Sequence, residues 1–571
     1  MLGAFVLLVI VWAAACAFEL LKAVQDTRRG VAAVDAVQGQ LSGSDLVAEK
    51  PLPDLVQARA DFTSAHSRLS SPLLGPMKIL PVLGRQVSSV QDLSQAAQTV
   101  TGVGENAIRQ AHAILQLPHQ AGPNRVLTLR RLSLLASTTL GSISGVDLGP
   151  SEALVGPLAQ RRDKFSSQLT RVRNGLSHSA SVTADVATIL SGPQNYLLLA
   201  ANNAEMRDGS GMFLEAGLLG ASGGHIQLGV VQPTGNLYLP ASQAPPISGD
   251  LAARWGWIQP NQEWRNLGVT PQFNVTAPLA AQMWQVATGQ HVDGVIAVDI
   301  QALRDILTVT GPVDVAGQLV SADNVVTVLM HDQYAGLSNT PSDEANALRH
   351  DALGTLAHSA VNALENGNID LSTLAKAMAD ASQGRHILVW SAQPSTEASF
   401  SAAGVGGELA PNDLMAAVIN RGGNKLDQYL AVTANLQRIR QAHSTAATLS
   451  VRLQNEAPKT GPSYIEGPYP GLGTQPGEYV GILAVNLPAG STDAHAEGYQ
   501  TLAASGPEGP TLLLAAPIDI KLGQTLNVNV TFDLPNNYGA VNVVPTARVP
   551  PVNWNAGSSQ FNDGAPHHLT W

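Results

Sequence analysis

The sequence predicts a multi-domain α+β protein: an N-terminal membrane helix, a helical stalk or bundle, a central mixed α/β domain and a C-terminal immunoglobulin-like β-sandwich. Three observations lead there. Residues 1–18 carry no charge, apolar residues recur at alternating spacings of three and four up to about residue 190, and beyond about residue 425 the period becomes two. The changes of period set the borders: membrane helix 1–21, stalk 22–190, mixed domain 191–424, sandwich 425–549 and a flexible tail 550–571.

Length and composition agree with that division. A chain of 571 residues has room for about three or four domains, and 13% charged residues with 53 Gly and 35 Pro is a globular composition. The single Cys16 excludes an internal disulfide framework and a cysteine-based zinc site. Arginine outnumbers lysine by 24 to 8, a bias that a GC-rich genome explains without a nucleic-acid partner. Lys plus Arg against Asp plus Glu is 17 to 13 up to residue 190 and 15 to 30 beyond it, so net charge passes from +4 to −15. The basic part is the one next to the apolar terminus, which suits anionic lipid head groups or simply solvated helix faces.

Met1–Phe18 is uncharged, and Leu20 and Leu21 extend its apolar character past Glu19. Eighteen helical residues span about 27 Å, close to the ~30 Å of a hydrocarbon core, which predicts one membrane pass. Ala13-Ala14-Ala15-Cys16 also loosely matches a lipoprotein signal, the rival reading. Lys22, Arg28 and Arg29 follow the span and favour a cytoplasmic C-terminal side by the positive-inside rule. The size of the remainder favours export, and the expected location is the cell membrane with the bulk of the chain outside the cytoplasm.

In the stalk, Leu55, Ala58, Phe62, Ala65 and Leu69 form one narrow stripe suited to antiparallel or coiled-coil packing. Val24, Val31, Val34 and Leu41 do the same before it, and Ala107, Ile108, Ala111, Ile114 and Leu115 after it. Pro51, Pro53, Pro72, Pro76 and Pro81 punctuate the helices.

The mixed domain opens with three strands, Tyr196–Ala201, Met212–Leu219 and Ile226–Val231, joined by two turns. The first turn crowds Asn202, Asn203, Glu205, Arg207 and Asp208 against Gly209-Ser210-Gly211. Glycines there allow backbone amides to approach an anion, and the arginine can grip a phosphate or carboxylate in bidentate fashion. Asn202, Asn203, Glu205, Arg207, Gly209, Ser210 and Gly211 are therefore the candidate ligand site, with Arg265, Arg304 and Arg349 as secondary cations that would have to converge on Arg207. The competing reading is structural: the Asn side chains satisfy turn amides and Glu205 pairs with Arg207. Further on, Trp255, Trp257 and Trp264 suit either a sugar or polyprenyl face or a plug between helix and sheet. A helix over Ala277–Thr288, a strand over Val292–Val298, a helix over Ile300–Leu307 and a turn at Gly311-Pro312 returning Val313–Val315 to the sheet come next. A long helix, Ala345–Leu364, carries His350 and His358 two turns apart, too far for one metal ion without outside ligands. A strand His386–Trp390 and a helix Pro411–Asn420 close the domain.

The stretch NYLLLAANNAEMRDGSGMFLEAGLL, with HVDGVIAVDIQALRDILTVTGPVDVAG and SADNVV after it, resembles the bacterial domain-of-unknown-function family DUF4012 over roughly Asn195–Leu364. Ser210-Gly211 stands where that family's turn has a glycine pair. The resemblance implies a membrane-anchored extracytoplasmic protein and supplies no agreed activity. A fainter similarity is to the LytR-CpsA-Psr family of cell-wall glycopolymer ligases, whose Arg-Asp pair after the third strand is absent, since Val231 leads into Gln232-Pro233-Thr234-Gly235.

In the C-terminal part Leu430, Val432, Ala434 and Leu436 alternate with polar residues, as do Leu449, Val451 and Leu453, and Leu526, Val528, Val530, Phe532 and Leu534. Gly/Pro-rich turns at Gly467–Gly477 and Gly506–Pro510 separate such strands, which predicts a small antiparallel sandwich. His567-His568 falls in the expected loose tail.

No phosphate-binding G-x-x-x-x-G-K-[ST] loop, dinucleotide fingerprint, H-E-x-x-H or G-x-S-x-G elbow occurs. Two functions compete on this reading. One is a cell-envelope binding or scaffold protein without chemistry or cofactor. The other is a phosphotransferase acting on polyprenyl-pyrophosphate-linked glycans, the pyrophosphate held at the turn directly or through a divalent cation.

Overall fold

Helices dominate the first third of the chain, as the three-and-four spacing requires. The computed structural model describes residues 2–38, 49–117, 122–315, 317–337, 342–367, 369–468, 471–535 and 538–571, and only the backbone of residues 2–10, 38, 343, 344, 371 and 372. One compact unit comprises residues 1–120, 124–188 and 370–376, the other residues 121–123, 189–369 and 377–571.

The first unit is built from the helices Leu2–Gln38, Leu52–Leu69, Leu83–Leu115, Pro123–Ser144 and most of Gly156–Ser191. Ala58, Phe62, Ala65 and Leu69 are buried as their spacing predicts, with Leu55 half-buried. The first helix is rotated from its expected register. Ala23, Asp26, Gly30 and Val37 face inward, Val24 is exposed, Val31 and Val34 are half-buried, and Leu41 lies outside the described residues. Two features set that rotation. Asp26 turns in to meet Arg68 Nε at 2.9 Å and the Arg29 guanidinium, and a Cβ on Gly30 would lie 2.9 Å from the Phe62 ring, which packs straight onto the helix backbone. Pro51 caps the second helix, Pro53 sits in its first turn, and Pro72 and Pro76 open the short turns that follow it.

One helix runs unbroken from Leu2 to Gln38, past residue 21 where the membrane segment is expected to end. Among the described residues no helix is long and apolar enough to cross a membrane, while residues 1–10 of the expected span lie outside those whose side chains are described.

The second unit holds both remaining domains. Its first sheet has the order β3-β2-β1-β5-β8, formed by β1 (Gln194–Met206), β2 (Gly211–Ser222), β3 (His225–Leu228), β5 (Gly294–Asp299) and β8 (Ile387–Ser391), with the two-residue β4 (Gln232–Pro233) on β2. Only β1 and β5 are parallel, with the helix Phe273–Thr288 leading into β5. Three strand expectations need correction. β1 continues through the polar run to Met206, because a bulge lets Asn202 pair with Met212 and Met206 with Gly211, so only Arg207–Ser210 form the turn. β3 stops at Leu228, leaving Val230 81% exposed. The strands β6 (Val313–Val315) and β7 (Gln318–Val320) make a separate hairpin instead of rejoining the sheet.

The sandwich has two six-stranded sheets. One runs β13-β16-β11-β10-β18-β19, the other β14-β15-β12-β9-β17-β20. The long strands are β9 (Asp413–Asn420), β10 (Leu430–Arg440), β11 (Ser444–Asn455), β12 (Tyr479–Leu487), β15 (Thr511–Ile520) and β16 (Thr525–Pro535). Shorter ones are β13 (Thr492–Ala496), β14 (Ala504–Glu508), β17 (Ala540–Val543), β18 (Asn553–Ala556), β19 (Ser559–Asn562) and β20 (His567–Thr570). The alternating residues of β10, β11 and β16 form its core with Trp554. Part of the expected turn at Gly467–Gly477, residues 469–470, lies outside the described residues.

Several expectations need correction here, the first because of burial on both sides. The segment read as a helix at Pro411–Asn420 is β9, every residue of which is buried. Leu414, Ala416 and Val418 enter the sandwich core, while Ile419 joins Ile482, Ala484, Leu513 and Ala515 in the core of the α/β domain, with Leu197, Leu199 and Trp255. A strand covered on both faces shows no alternation. The sandwich therefore begins at Asp413, and its second sheet is also a layer of the α/β domain. Nor is the sandwich wholly antiparallel, since β10–β18 and β9–β17 are parallel pairs. The segment 550–571 supplies β18, β19 and β20 and buries Val552, Trp554, Ala556 and Leu569, so it is not a loose tail.

Candidate functional site

The end of β1 is polar yet lies in the interior: Asn202, Asn203, Glu205, Arg207, Asp208 and Ser210 are all buried. Such groups are stable there only when partnered. Asn202 donates to the Tyr334 hydroxyl at 2.6 Å and accepts the Ala204 amide at 2.8 Å. Asn203 donates to Asp299 Oδ2 and to the Ala547 carbonyl, both at 2.7 Å, and accepts the Ile300 amide at 3.1 Å. Asp299 in turn caps the helix Ile300–Thr310 through the Ala302 amide and accepts from His386 Nδ1 at 2.7 Å. Burial works against the His386 imidazolium, but the charge and hydrogen bond of Asp299 outweigh it and raise the pKa above 6.5.

Glu205 does not pair with Arg207. Its partner is Lys425, whose ammonium also lies 5.2 Å from the centre of the Tyr334 ring and 5.4 Å from that of Tyr464. Burial alone would depress the lysine, and Glu205 raises it. Arg207 spends its donors on backbone: Nε on the Arg265 carbonyl at 2.7 Å, Nη1 on the carbonyls of Asn420 at 2.8 Å and Met206 at 3.0 Å. Burial lowers its pKa to about 10, so it stays a cation at neutral pH.

Beside them Asp427, fully buried, accepts from the Met206 amide at 3.0 Å, Asn420 Nδ2 at 2.9 Å, the Tyr479 hydroxyl at 2.8 Å and Arg548 Nη1 at 2.9 Å. Arg548 also reaches the carbonyls of Asp427 and Leu430. The network thus ties β1 of the α/β domain to β9, β10 and the C-terminal segment.

The glycines serve the same packing. Gly209 N–H donates to the Gly268 carbonyl at 3.0 Å, and a Cβ at Gly209 would lie 2.7 Å from the Thr270 carbonyl oxygen. A Cβ on Gly211 would come within 2.5 Å of the Asn202 backbone, and Ser210 closes the turn by accepting the Arg207 amide at 2.8 Å. Close approach is needed here by protein backbone.

None of the secondary cations bonds Arg207 through its guanidinium, although Arg349 lies 5.8 Å from the centre of the Tyr334 ring. Arg265 offers Arg207 its carbonyl while its guanidinium bonds Glu263, Arg304 bonds Gln301 at 3.3 Å, and Arg349 bonds His350 at 2.8 Å. His350 pairs with Glu215. Trp255 and Trp264 are fully buried, donating to Glu508 Oε1 at 2.7 Å and the Leu237 carbonyl at 2.8 Å, while Trp257 is exposed with Arg421 5.5 Å from its ring centre. Among the described residues no group of three or more His, Cys, Asp or Glu is placed to hold a metal ion.

Sequence reasoning missed Lys425, Asp427, Arg548, Tyr334 and Tyr479. A signal existed for two of them: Asn420-Arg421-Gly422-Gly423-Asn424-Lys425-Leu426-Asp427 is a second polar, glycine-bearing run directly after an apolar one, matching the run after β1 in kind. Asp208, in the same polar run, stands apart from these paired groups. Both its carboxylate oxygens lack a hydrogen-bond partner among the described residues, and burial pushes its pKa well above 3.8, with Glu508 adding to the rise and Arg385 opposing it.

No curated protein and no solved structure matches the chain. The cell-wall ligase resemblance finds no support in these comparisons. Residues 191–334, which hold β1, the turn and the helices up to Tyr334, match the family model described as protein of unknown function (DUF4012), so the chain carries the domain of that family.

Proposed function

We propose that this chain is a membrane-anchored, extracytoplasmic protein of the cell envelope that acts as a binding or assembly scaffold. The observation that carries this reading is the commitment of the signature residues to the fold: Glu205 is used by Lys425, and Arg207 by three backbone carbonyls. A phosphotransferase needs cations facing a common cleft where charge develops on the departing phosphate. The arginines that would supply them bond Glu263, Gln301 and His350 instead. Anchoring rests on the uncharged Met1–Phe18, and export on the size of the remainder. Cell-wall glycan or a polyprenyl-phosphate lipid is the expected class of partner, met at a surface other than the buried turn.

Arg207→Ala separates the two readings. As a structural lock its loss leaves buried carbonyls without donors and lowers unfolding stability by more than about 3 kcal/mol, measured by urea denaturation. A variant that keeps its stability but loses saturable binding of a polyprenyl pyrophosphate would return the turn to the role of ligand site. Protease added to wall-stripped cells is expected to digest the bulk of the chain. Protection of residues 30–571 would place it in the cytoplasm and end the envelope reading.

A further inference from the structure

Between the second helix and Leu83–Leu115 the chain makes a connection whose composition does not suit water. Residues 70–84, SSPLLGPMKILPVLG, contain one charge, Lys78. Leu74 is buried beneath the connection, but Leu73, Ile79, Leu80, Val82 and Leu83 are exposed, Ile79 by 82%. A contiguous exposed apolar patch of this kind marks an interaction surface.

Its position indicates what covers it. The Leu73 carbonyl accepts from Trp12 Nε1 at 3.0 Å and from Cys16 Sγ at 3.2 Å, and Leu74 packs with Cys16 and Leu20. Trp12 and Cys16 belong to the uncharged stretch and precede its first charge, Glu19, by seven and three residues. At 1.5 Å per residue the connection is held about 4–10 Å along the helix from that charge, on the apolar side. Wherever residues 12–16 of the first helix lie in a bilayer, Leu73 and Leu74 lie at about the same depth.

The backbone fits that depth, since short turns satisfy part of it internally: the Leu74, Leu80 and Gly84 amides donate to the carbonyls of Ser71, Met77 and Leu80. Lys78 is held by Gln91 Oε1, and Arg85 stands at the far border of the apolar run. We infer that residues 72–83 form an interfacial wedge, inserted beside the first helix into the leaflet on which the bulk of the chain lies. The inference rests on the membrane reading above and adds to it a second point of bilayer contact.

The test uses the full chain reconstituted in phosphatidylglycerol/phosphatidylethanolamine vesicles. An environment-sensitive fluorophore is placed at Ile79→Cys, at Val82→Cys as a second reporter, and at Ser558→Cys as a reference on an exposed turn, all with Cys16→Ser, whose hydroxyl keeps a donor for Leu73. The expected result is blue-shifted emission at 79 and 82, quenching by doxyl-labelled lipid, and several-fold weaker iodide quenching than at 558. Iodide quenching at 79 and 82 equal to that at 558, in a chain that floats with the vesicles, overturns the wedge and leaves the anchor standing. A chain that fails to float overturns both.

Discussion

Buried carboxylates occur in both units, and their partners differ. In the helical unit Asp26 and Asp61 are 5% and 7% exposed at the side chain, but the arginines that meet them, Arg29 and Arg68, are 60% and 36% exposed. In the second unit both partners are inside: Lys425 and Glu205 are each 7% exposed, Arg548 1% and Asp427 0%. A cation still in water attracts weakly and is dispensable, whereas one that has left water must be satisfied completely. The helical seam can therefore be retuned residue by residue, while the network at the end of β1 stands or falls as a set.

The largest expected effect follows from breaking that set. Lys425→Met leaves Glu205 buried and unpaired, and should cost about 3–5 kcal/mol in urea denaturation. Combining it with Glu205→Leu should recover most of the loss, because an apolar pair of similar volume carries no charge to desolvate. A double variant as unstable as the single one would mean that the network holds by geometry more than by charge. Next comes Gly209→Ala, where the new methyl meets the Thr270 carbonyl, part of the backbone and unable to swing aside. About 1–3 kcal/mol should be lost there, read from the thermal midpoint, whereas alanine at Gly141, with nothing within 4 Å, should be neutral or slightly stabilising.

What was legible in the sequence follows the same division. The helical stripe at Ala58, Phe62, Ala65 and Leu69 and the alternation in β10, β11 and β16 are local patterns, set by which face of one element meets a core. β9 was illegible because its neighbours cover both faces, so Asp413–Asn420 shows no period to separate strand from helix. The candidate turn was found as a cluster but misread in its pairing. The partner of Glu205 lies 220 positions away at Lys425, and Arg207 donates to carbonyls, which every residue has and no sequence marks. The 550–571 segment read as loose because its strands are only four residues long, too short to show a period.

Asp208 provides a smaller effect and a sign that can be checked. Its folded pKa is raised above 3.8 by burial, so the stability associated with its proton is fully present below the unfolded value and is lost as pH rises toward the folded one. Over that window a single such group lowers stability by about 1.4 kcal/mol per pH unit. Asp208→Asn should flatten the wild-type decline above pH 4, gaining on the wild type as pH increases. His386 titrates with the same sign in a different window: its raised pKa means that stability from the Asp299 pair falls as pH passes upward through a value above 6.5. Urea unfolding of His386→Gln and Asp208→Asn at unit steps from pH 4 to 8 separates the two, since only the Asp208 variant should differ from the wild type in slope below pH 6.

The smallest effect is expected in the helical seam, and it sharpens the comparison most. Arg29→Ala removes one partner from each of two buried carboxylates, yet Asp26 keeps Arg68 Nε at 2.9 Å and Asp61 keeps Gln57 Nε2 at 2.9 Å. With a substitute in place and the lost guanidinium already solvated, the change should be about 1 kcal/mol or less. It should shrink further in 0.5 M salt, because exposed charges are screened while buried ones are not. The Lys425→Met loss should be unchanged by the same salt. If Arg29→Ala instead costs as much as Lys425→Met and ignores salt, then Asp26 and Asp61 depend on that arginine as fully as Glu205 depends on its lysine, and exposure of the cation is the wrong measure of how tightly a buried carboxylate is held.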